Sequence, residues 1–382
     1  MTERPLRILL LGDASNFHRT LAIGLRRLGH DVTVASDGTG WMDTARDIDL
    51  RRPLPGKAGG AALWLKLQMG LKRRFSGHDI VSVCTPGFLN LRPHRIKSIF
   101  DYVRTHNGAV FSTALGTDSN YVEECLSPDS EIEYNEFMIH GAPAPMLTAD
   151  PEAAARWLAP ELKEYCDYFY ARIDGAVSCL WEYDVALQRV LPPWKHAYGG
   201  IPIDTRSIQP VELPDRIDKV RLFLGRHAGR LLEKGTDLLE AAAKEVVGRH
   251  PDKAELVIVE NRPYDEYLGL LRSSHVVLDQ LYSYTPATNA LLAMAMGLNT
   301  VSGGDEKYYR FIGEEKMRPV IHVEPDYDSA VNALERTVLS PHLIRARGLE
   351  GRRFVEKHND TGTVAMRNIE FWKKHLIARH DS

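Results

Sequence analysis

The sequence predicts an α/β protein made of two Rossmann-like, doubly wound domains. Short apolar runs alternate with stretches whose apolar residues recur at helical spacing, which indicates strands joined by helices in a parallel sheet. This alternation stops at a turn-rich segment near Gly199 and Gly200 and then restarts. The 382 residues leave room for two cores. We therefore expect domains over residues 1–200 and 201–360, and a terminal segment, 361–382, that crosses back to the first domain.

The first domain begins with a strand-helix-strand unit. Arg7–Leu11 is a predicted strand, residues 17–28 form a helix closed by Gly29 as its C-cap, and residues 31–35 form the second strand. Later strands of the same sheet are expected at 80–84, 109–113 and 175–178.

The second domain repeats this pattern after a turn-rich crossing segment at 196–203. Its predicted strands are 220–224, 255–259, 275–278 and 300–301, its helices are 235–247, 264–272 and 287–296, and a long amphipathic helix at 363–377 ends the chain. Ligands of such sheets bind at the carboxyl ends of the strands. The active site is therefore expected in a cleft that the two domains face.

Composition excludes several classes of protein. A net charge of -3 gives no reason to expect nucleic acid as a partner. The four cysteines form no CxxC pair, which favours thiols in a reducing compartment over disulfides or a zinc site. The apolar run at residues 8–11 is too short for a signal peptide or a membrane span. We therefore expect a cytoplasmic protein.

The strongest chemical signal is the glycine-rich, basic loop at residues 225–235, which follows a predicted strand and precedes a helix. A helix N-terminus supplies amide donors and partial positive charge, so this loop suits a diphosphate. Arg230 would bind phosphate oxygens bidentately and Lys234 would act as a compact charge. The alternative is a solvated basic loop.

A second helix start follows another strand of the same predicted sheet. Thr285 is a plausible N-cap, Pro286 fits the first helical position, and the hydroxyls of Thr285 and Thr288 would bind the other side of the diphosphate. The alternative is that Thr285 only caps the helix and binds no ligand. Met294 and Met296 are interpreted as core residues.

Several ordered motifs resemble one enzyme family. Residues 199–204 are similar to an interdomain NGID stretch, residues 230–237 to an R…KG-x-D phosphate loop, and residues 293–301 to an EAMA-x-G-x-P-V segment. The chain thus resembles the retaining glycosyltransferases of family 4 (glycosyl transferases group 1), which have the GT-B fold. The resemblance implies a UDP- or GDP-sugar donor, no metal or other cofactor, a glycan or lipid-linked acceptor, and a setting in bacterial surface polysaccharide synthesis.

The chain departs from this family at the donor site. Tyr284 and Leu292 occupy the positions of two glutamates that usually contact the transferred sugar and the ribose. Donor recognition is therefore rebuilt or lost. Asn289, which lies three residues before Leu292 on the same helix face, is the first substitute, and Asp279, Gln280 and Glu260 are the others.

The first domain offers three candidate catalytic residues. Asp13 and His18 lie in and after the loop that follows the first strand, which lacks a GxGxxG pattern and so disfavours a dinucleotide dehydrogenase. Asp118 follows a later strand, where the family often has an acidic residue, and could orient or deprotonate an acceptor hydroxyl. The alternatives are a structural histidine and a loop-capping aspartate.

Two questions stay open at this level. Residues 61–75 form a basic, amphipathic stretch, which favours a helix packed on the first sheet with a solvated cationic face over peripheral contact with an anionic membrane. Besides a glycosyltransferase, the fold could house a sugar-nucleotide epimerase or a non-catalytic protein that binds a nucleotide or a partner.

Overall fold

The structure is a computed structural model that describes residues 4–38, 43–260, 262 and 264–380. The chain forms two compact units. The first unit contains Met1–Glu124, Ala155–Asp204 and Thr361–Ser382, and the second contains Cys125–Ala154 and Thr205–Asp360. Residues 125–154, which precede the expected boundary near residue 200, thus pack with the second unit. The terminal segment packs with the first.

The strands within the described ranges are β1 (Arg7–Leu11), β2 (Asp31–Ser36), β3 (Ile48–Asp49), β4 (Ile80–Val83), β5 (Ala109–Ala114), β6 (Met138–Ile139), β7 (Ala142–Pro143), β8 (Gly175–Ser178), β9 (His196–Tyr198), β10 (Val220–Arg226), β11 (Ala254–Glu260), β12 (Val276–Leu278) and β13 (Asn299–Val301). The helices there are α1 (Phe17–Arg27), α2 (Gly56–Gln68), α3 (Pro93–Thr105), α4 (Ser119–Leu126), α5 (Pro145–Ala149), α6 (Ala153–Trp157), α7 (Pro160–Tyr170), α8 (Trp181–Leu187), α9 (Leu231–Lys234), α10 (Thr236–Arg249), α11 (Tyr264–Arg272), α12 (Thr288–Ala295), α13 (Glu306–Phe311), α14 (Tyr327–Leu339), α15 (Ile344–His358) and α16 (Thr361–His380).

The first unit is built on a parallel sheet in the order β3-β2-β1-β4-β5-β8-β9. The five strands expected from the sequence are confirmed. The edge strands β3 and β9 were not predicted, and β9 lies inside the expected crossing segment. The central strands are almost fully buried, as expected when helices cover both faces of a parallel sheet.

Two glycines shape helix α1. Gly29 has φ +89° and His30 N donates to Leu25 O at 3.2 Å, which confirms the predicted C-cap. A Cβ atom at Gly24 would lie 2.1 Å from the carbonyl oxygen of Thr361. Gly24 therefore lets α16 pack closely against α1 within the first unit.

The second unit contains a parallel sheet in the order β11-β10-β12-β13. The chain runs from β10 to β11 on one side and then returns to β12 on the other side, so the point where the strand order reverses lies between β10 and β12. Open α/β sheets bind ligands at the carboxyl ends of the strands beside this point.

One predicted helix start is wrong. Helix α12 begins at Thr288 with Ala287 as its N-cap, so Thr285 is not the cap and Pro286 is not the first helical residue. Thr285 is instead buried, and its carbonyl oxygen accepts a hydrogen bond from Ser283 Oγ at 2.7 Å. This packing keeps residues 285–287 outside the helix.

The basic stretch at residues 61–75 is not a single helix. Helix α2 ends at Gln68, Gly70 has φ +140°, and a short 3-10 helix, Leu71–Phe75, follows. Its buried residues pack on the first sheet, while Leu65 and Met69 are 58% and 78% exposed. In the described part of the chain, no helix combines the length and apolar composition needed to cross a bilayer.

Candidate functional site

The two loops predicted to bind a diphosphate contact each other at the carboxyl ends of β10 and β12. Leu281 N donates to the carbonyl oxygen of Lys234 at 2.9 Å. Gly235, between α9 and α10, has φ +66°, and a Cβ atom there would lie 3.0 Å from both Leu281 Cβ and Tyr282 Cζ. Only glycine tolerates this conformation and this approach without strain. The structure therefore brings both loops to the reversal point of the sheet.

The two cations of the first loop differ in their surroundings. Arg230 forms an ion pair with Glu233, and its Nε lies 3.0 Å from both carboxylate oxygens. Among the residues described, Lys234 makes no side-chain ion pair or hydrogen bond. Lys234 therefore carries the uncompensated positive charge of this loop, and Arg230 is held in place by a neighbouring carboxylate.

Two helices begin at this site. Helix α10 starts directly after Gly235, and α12 starts at Thr288; neither has a hydrogen bond from its N-cap side chain. The first-turn amides of a helix have no intrahelical acceptor, and the helix dipole adds positive charge there. The start of α12 therefore favours an anion, whereas Asp237 in the first turn of α10 offsets part of this effect at the other helix.

A polar network lies beside the start of α12. Asn289 Nδ2 donates to Asp279 Oδ1 at 3.3 Å, and Asn289 Oδ1 accepts from the Tyr267 hydroxyl at 2.8 Å. Ser302 Oγ donates to the other Asp279 oxygen at 3.1 Å. Tyr267 and Ser302 were not predicted from the sequence, although Ser302 directly follows β13 as Asp279 directly follows β12.

Tyr284 does not point at an open site. Its ring is 1% exposed and stacks on Tyr134 with centroids 4.1 Å apart, and its hydroxyl oxygen accepts from Glu133 N at 2.9 Å and from Tyr134 N at 3.3 Å. Burial raises the pKa of this hydroxyl. The predicted sugar-contacting tyrosine thus anchors residues 125–154 to the second unit.

Glu260 and Leu292 are also engaged elsewhere. Glu260 Oε2 accepts from Arg226 Nε at 2.8 Å, and Arg226 Nη1 lies 3.3 Å from Glu240 Oε2. This ion pair raises the pKa of Arg226. Leu292 packs against the hydrophobic core of the second unit. Of the residues proposed to replace the missing glutamates, Asn289 is the one that lies at the helix start.

In the first unit, Asp13 lines a cavity of about 620 Å³. Its carboxylate accepts from His18 N at 2.9 Å and from Arg19 N at 3.1 Å. Burial raises the pKa of Asp13 to about 6, against the opposing effect of these backbone hydrogen bonds. A carboxylate that titrates near neutral pH beside a cavity suits a general base.

His18 has a structural environment. It is fully buried, its Nδ1 lies 2.6 Å from the carbonyl oxygen of Gly12, and its Nε2 lies 3.2 Å from Thr113 Oγ1. Burial lowers its pKa to about 4, so the imidazole is neutral at pH 7. His18 therefore connects β1 to β5 and has no surface for a substrate in this conformation.

Asp118 also has a structural environment. One oxygen accepts from Tyr121 N at 2.9 Å at the start of α4, and the other accepts from the Tyr170 hydroxyl at 2.5 Å. Burial raises the pKa of this carboxyl group. Of the three predicted catalytic residues, Asp13 is the one that the structure places at a cavity.

One group in the second unit has the donor types of a metal site. The side chains of Asp305, His322 and Glu324 offer donor atoms that lie within 4.8 Å of one another. Among the described residues, this is the group of three possible metal ligands that meets this distance. However, Asp305 Oδ1 already accepts from Lys307 N at 2.6 Å as the N-cap of α13. His322 Nε2 lies 3.3 Å from Glu324 Oε1 and 3.9 Å from Asp305 Oδ2, so contacts among the three side chains account for this arrangement.

Comparison with solved structures shows the GT-B fold. Sucrose-phosphate synthase from Thermosynechococcus elongatus has a TM-score of 0.63 at 14% identity, with 97% of this chain and 100% of that chain covered. Anabaena HepE in complex with UDP-glucose has a TM-score of 0.59 at 11% identity, with coverage of 97% and 100%. A putative UDP-N-acetylglucosamine 2-epimerase from Listeria monocytogenes has a TM-score of 0.53 at 12% identity, with coverage of 96% and 95%. No protein-family model matches the sequence, and no curated protein does.

Proposed function

We propose that the protein is a glycosyltransferase that moves a sugar from a nucleoside diphosphate donor, such as a UDP- or GDP-sugar, to an acceptor hydroxyl. The second unit binds the donor and the first unit binds the acceptor. The observation that carries this proposal is the contact between the 225–235 and 279–287 loops at the reversal point of the sheet, with Lys234 and two helix starts beside it.

These groups would act on the leaving diphosphate. Negative charge builds on its oxygens as the bond to the sugar breaks, and preorganised donors in a fixed site stabilise that charge. Lys234 and Arg230 supply positive charge, and the amides at the starts of α10 and α12 supply hydrogen bonds. This arrangement supports departure of the diphosphate without a metal ion, with the retention of configuration that the family resemblance implies.

The acceptor side of the proposal rests on the cavity beside Asp13. Its lining combines three carboxylates with apolar side chains such as Phe88 and Trp157; the carboxylates are those of Asp13, Asp37 and Glu161. Asp13, with its pKa of about 6, would accept the proton of the acceptor hydroxyl at neutral pH.

The family resemblance implies a cytoplasmic enzyme of bacterial surface polysaccharide synthesis that works on a glycan or lipid-linked acceptor, and we propose this setting. Exposed Leu65 and Met69, beside the cations of residues 66–74, suit shallow contact with an anionic membrane surface.

Calorimetry with a panel of UDP- and GDP-sugars tests the donor site. We expect the Arg230→Ala/Lys234→Ala variant to bind the donor at least about tenfold more weakly, because two charge-assisted contacts are lost. The matched control is Arg216→Ala/Lys219→Ala, which removes the same charges just before β10, at the opposite end of that strand. Equal affinity in both variants, or no binding of any sugar nucleotide by the native chain, refutes the proposal.

The products formed from the donor distinguish a glycosyltransferase from an epimerase and from a non-catalytic binding protein. The similarity to the Listeria protein favours testing epimerisation. Nuclear magnetic resonance of a bound donor after incubation would show hydrolysis or transfer for a transferase, with the anomeric signal reporting retention. It would show exchange of the proton at C2 of the sugar for an epimerase and an unchanged donor for a binding protein.

A further inference from the structure

A second cavity in the first unit is lined by basic side chains. It has a volume of about 380 Å³, which lies within the range of ligand pockets. Four cations line it, and the remaining lining residues are small or apolar: Arg52, Lys57, Arg92 and Arg95, with Gly56, Gly60, Ala61 and Leu91. No carboxylate belongs to this lining.

The positive charge of this basic cavity is not neutralised within the described ranges of the chain. Arg52 donates through Nε to the carbonyl oxygen of Asn90 at 2.8 Å, and Arg95 Nη1 lies 3.5 Å from the carbonyl oxygen of Gly60. Neither arginine forms an ion pair among the described residues, and the side chains of Lys57 and Arg92 make no hydrogen bond or ion pair there.

Neighbouring arginines behave differently. Arg46 Nε lies 3.1 Å from Asp49 Oδ1, and Arg51 Nη2 lies 3.0 Å from Asp49 Oδ2. The same segment thus pairs its arginines with carboxylates outside the basic cavity but not inside it. Four unpaired cations in a concave site repel one another, and an anion relieves that repulsion.

Two helices begin at the basic cavity. Lys57 lies in the first turn of α2, and Arg92 is the N-cap of α3. Both helices are 13 residues long, lack a side-chain N-cap bond, and have no acidic residue in the first turn. Their dipoles therefore add positive potential to that of the four side chains.

We infer that the basic cavity binds a phosphate-class anion carried by the acceptor. Leu91 lines both this cavity and the larger cavity that contains Asp13, so the two cavities are adjacent. The acceptor then has a phosphate or diphosphate at one end, and its reactive hydroxyl lies toward Asp13. The assignment of the anion to the acceptor rests on the proposed function; the anion site itself does not.

Titration of the full-length protein with pyrophosphate tests the inference. The comparison is made in the Arg230→Ala/Lys234→Ala background, so that the proposed donor site does not bind the probe. There we expect the added Lys57→Gln/Arg92→Gln change to weaken pyrophosphate binding at least about tenfold, because these side chains have no structural partner to lose and each supplies a charge-assisted contact. The matched control is Lys66→Gln/Arg73→Gln, which makes the same charge change at exposed positions of the same segment outside the basic cavity. This control should leave pyrophosphate binding unchanged.

Vesicles of phosphatidylcholine with phosphatidylglycerol distinguish the sources of the anion. If Lys57→Gln/Arg92→Gln loses vesicle binding, and if pyrophosphate displaces the native chain from vesicles, the basic cavity is assigned to a lipid phosphate. If the native chain binds pyrophosphate and Lys57→Gln/Arg92→Gln still binds vesicles as the native chain does, the basic cavity is assigned to a soluble phosphate. The inference is overturned if both double variants bind pyrophosphate equally, or if the native chain binds neither probe.

The donor site is tested separately. Arg230→Ala/Lys234→Ala should retain the pyrophosphate binding that Lys57→Gln/Arg92→Gln loses. A native chain that binds pyrophosphate in this manner but no sugar nucleotide refutes the proposed transfer and leaves the anion site standing. A chain that binds sugar nucleotides normally but shows no difference between the two glutamine variants refutes the anion site alone.

Discussion

Replacing Tyr284 by phenylalanine removes one oxygen atom from the core of the second unit. That oxygen accepts hydrogen bonds from the backbone amides of Glu133 and Tyr134, at 2.9 and 3.3 Å. Phenylalanine preserves the ring and hence its stacking on Tyr134, where the planes are 13° apart. The substitution therefore removes two of the hydrogen bonds that tie residues 125–154 to the rest of the unit, while the bonds from Lys307 Nζ to Glu131 and Glu133 stay in place.

The expected cost follows from the two amides left without an acceptor. A buried donor that loses its partner costs about 1–3 kcal/mol. The residue Tyr134 is 2% exposed, so water does not replace the lost acceptor at its amide, while the part-buried amide of Glu133 recovers some solvation. We expect Tyr284→Phe to lower the free energy of unfolding by about 2 kcal/mol.

Urea unfolding measures this loss, and hydrogen exchange locates it. The amides of Glu133 and Tyr134 should exchange faster in the variant than in the native chain. Tyr282→Phe is the matched control, since the hydroxyl of Tyr282 makes no hydrogen bond among the described residues; its effect should stay within about 0.5 kcal/mol. Equal stabilities of the two variants, or a loss of donor affinity in Tyr284→Phe without a loss of stability, would refute this reasoning.

Three further predictions concern the two units. Asp13→Asn should lose the fall in kcat/KM that the native enzyme shows as the pH drops through about 6, because only the ionised carboxylate is a base. The stability of the native chain relative to this variant should fall as the pH rises from about 4 through 6, because burial disfavours the ionised form. A pH-independent native rate contradicts this role. Gly235→Ala should lower the free energy of unfolding, measured by thermal unfolding, by about 1–2 kcal/mol and weaken donor binding, because φ is +66° at this residue. The control is Gly248→Ala in α10, where a Cβ atom meets open space, and it should not destabilise the protein. Leu65→Ser/Met69→Ser should reduce flotation with anionic vesicles, and Leu339→Ser should not; equal flotation excludes membrane contact through α2.

The sequence alone determined the elements whose signals are local. Strand β1, the helix after it and the cap at Gly29 depend on residues a few positions apart, so periodicity and backbone preferences were enough. The same holds for the position of Lys234 in a loop between a strand and a helix. Because parallel strands end at the same edge of their sheet, the sequence also placed the two candidate phosphate loops at one end of the second unit.

Only the tertiary structure decided what the individual side chains do there. Tyr284 contacts amides 150 and 151 positions away, and His18 contacts Thr113, 95 positions away. Asp118 contacts Tyr170, 52 positions away. Burial and long-range hydrogen bonds turned these predicted site residues into structural ones, whereas Asp13 retained a cavity. The N-cap of α12 is Ala287 and not the predicted Thr285 for the same reason. Packing of the preceding loop overrode a local capping preference, and no pattern within a few residues records that packing.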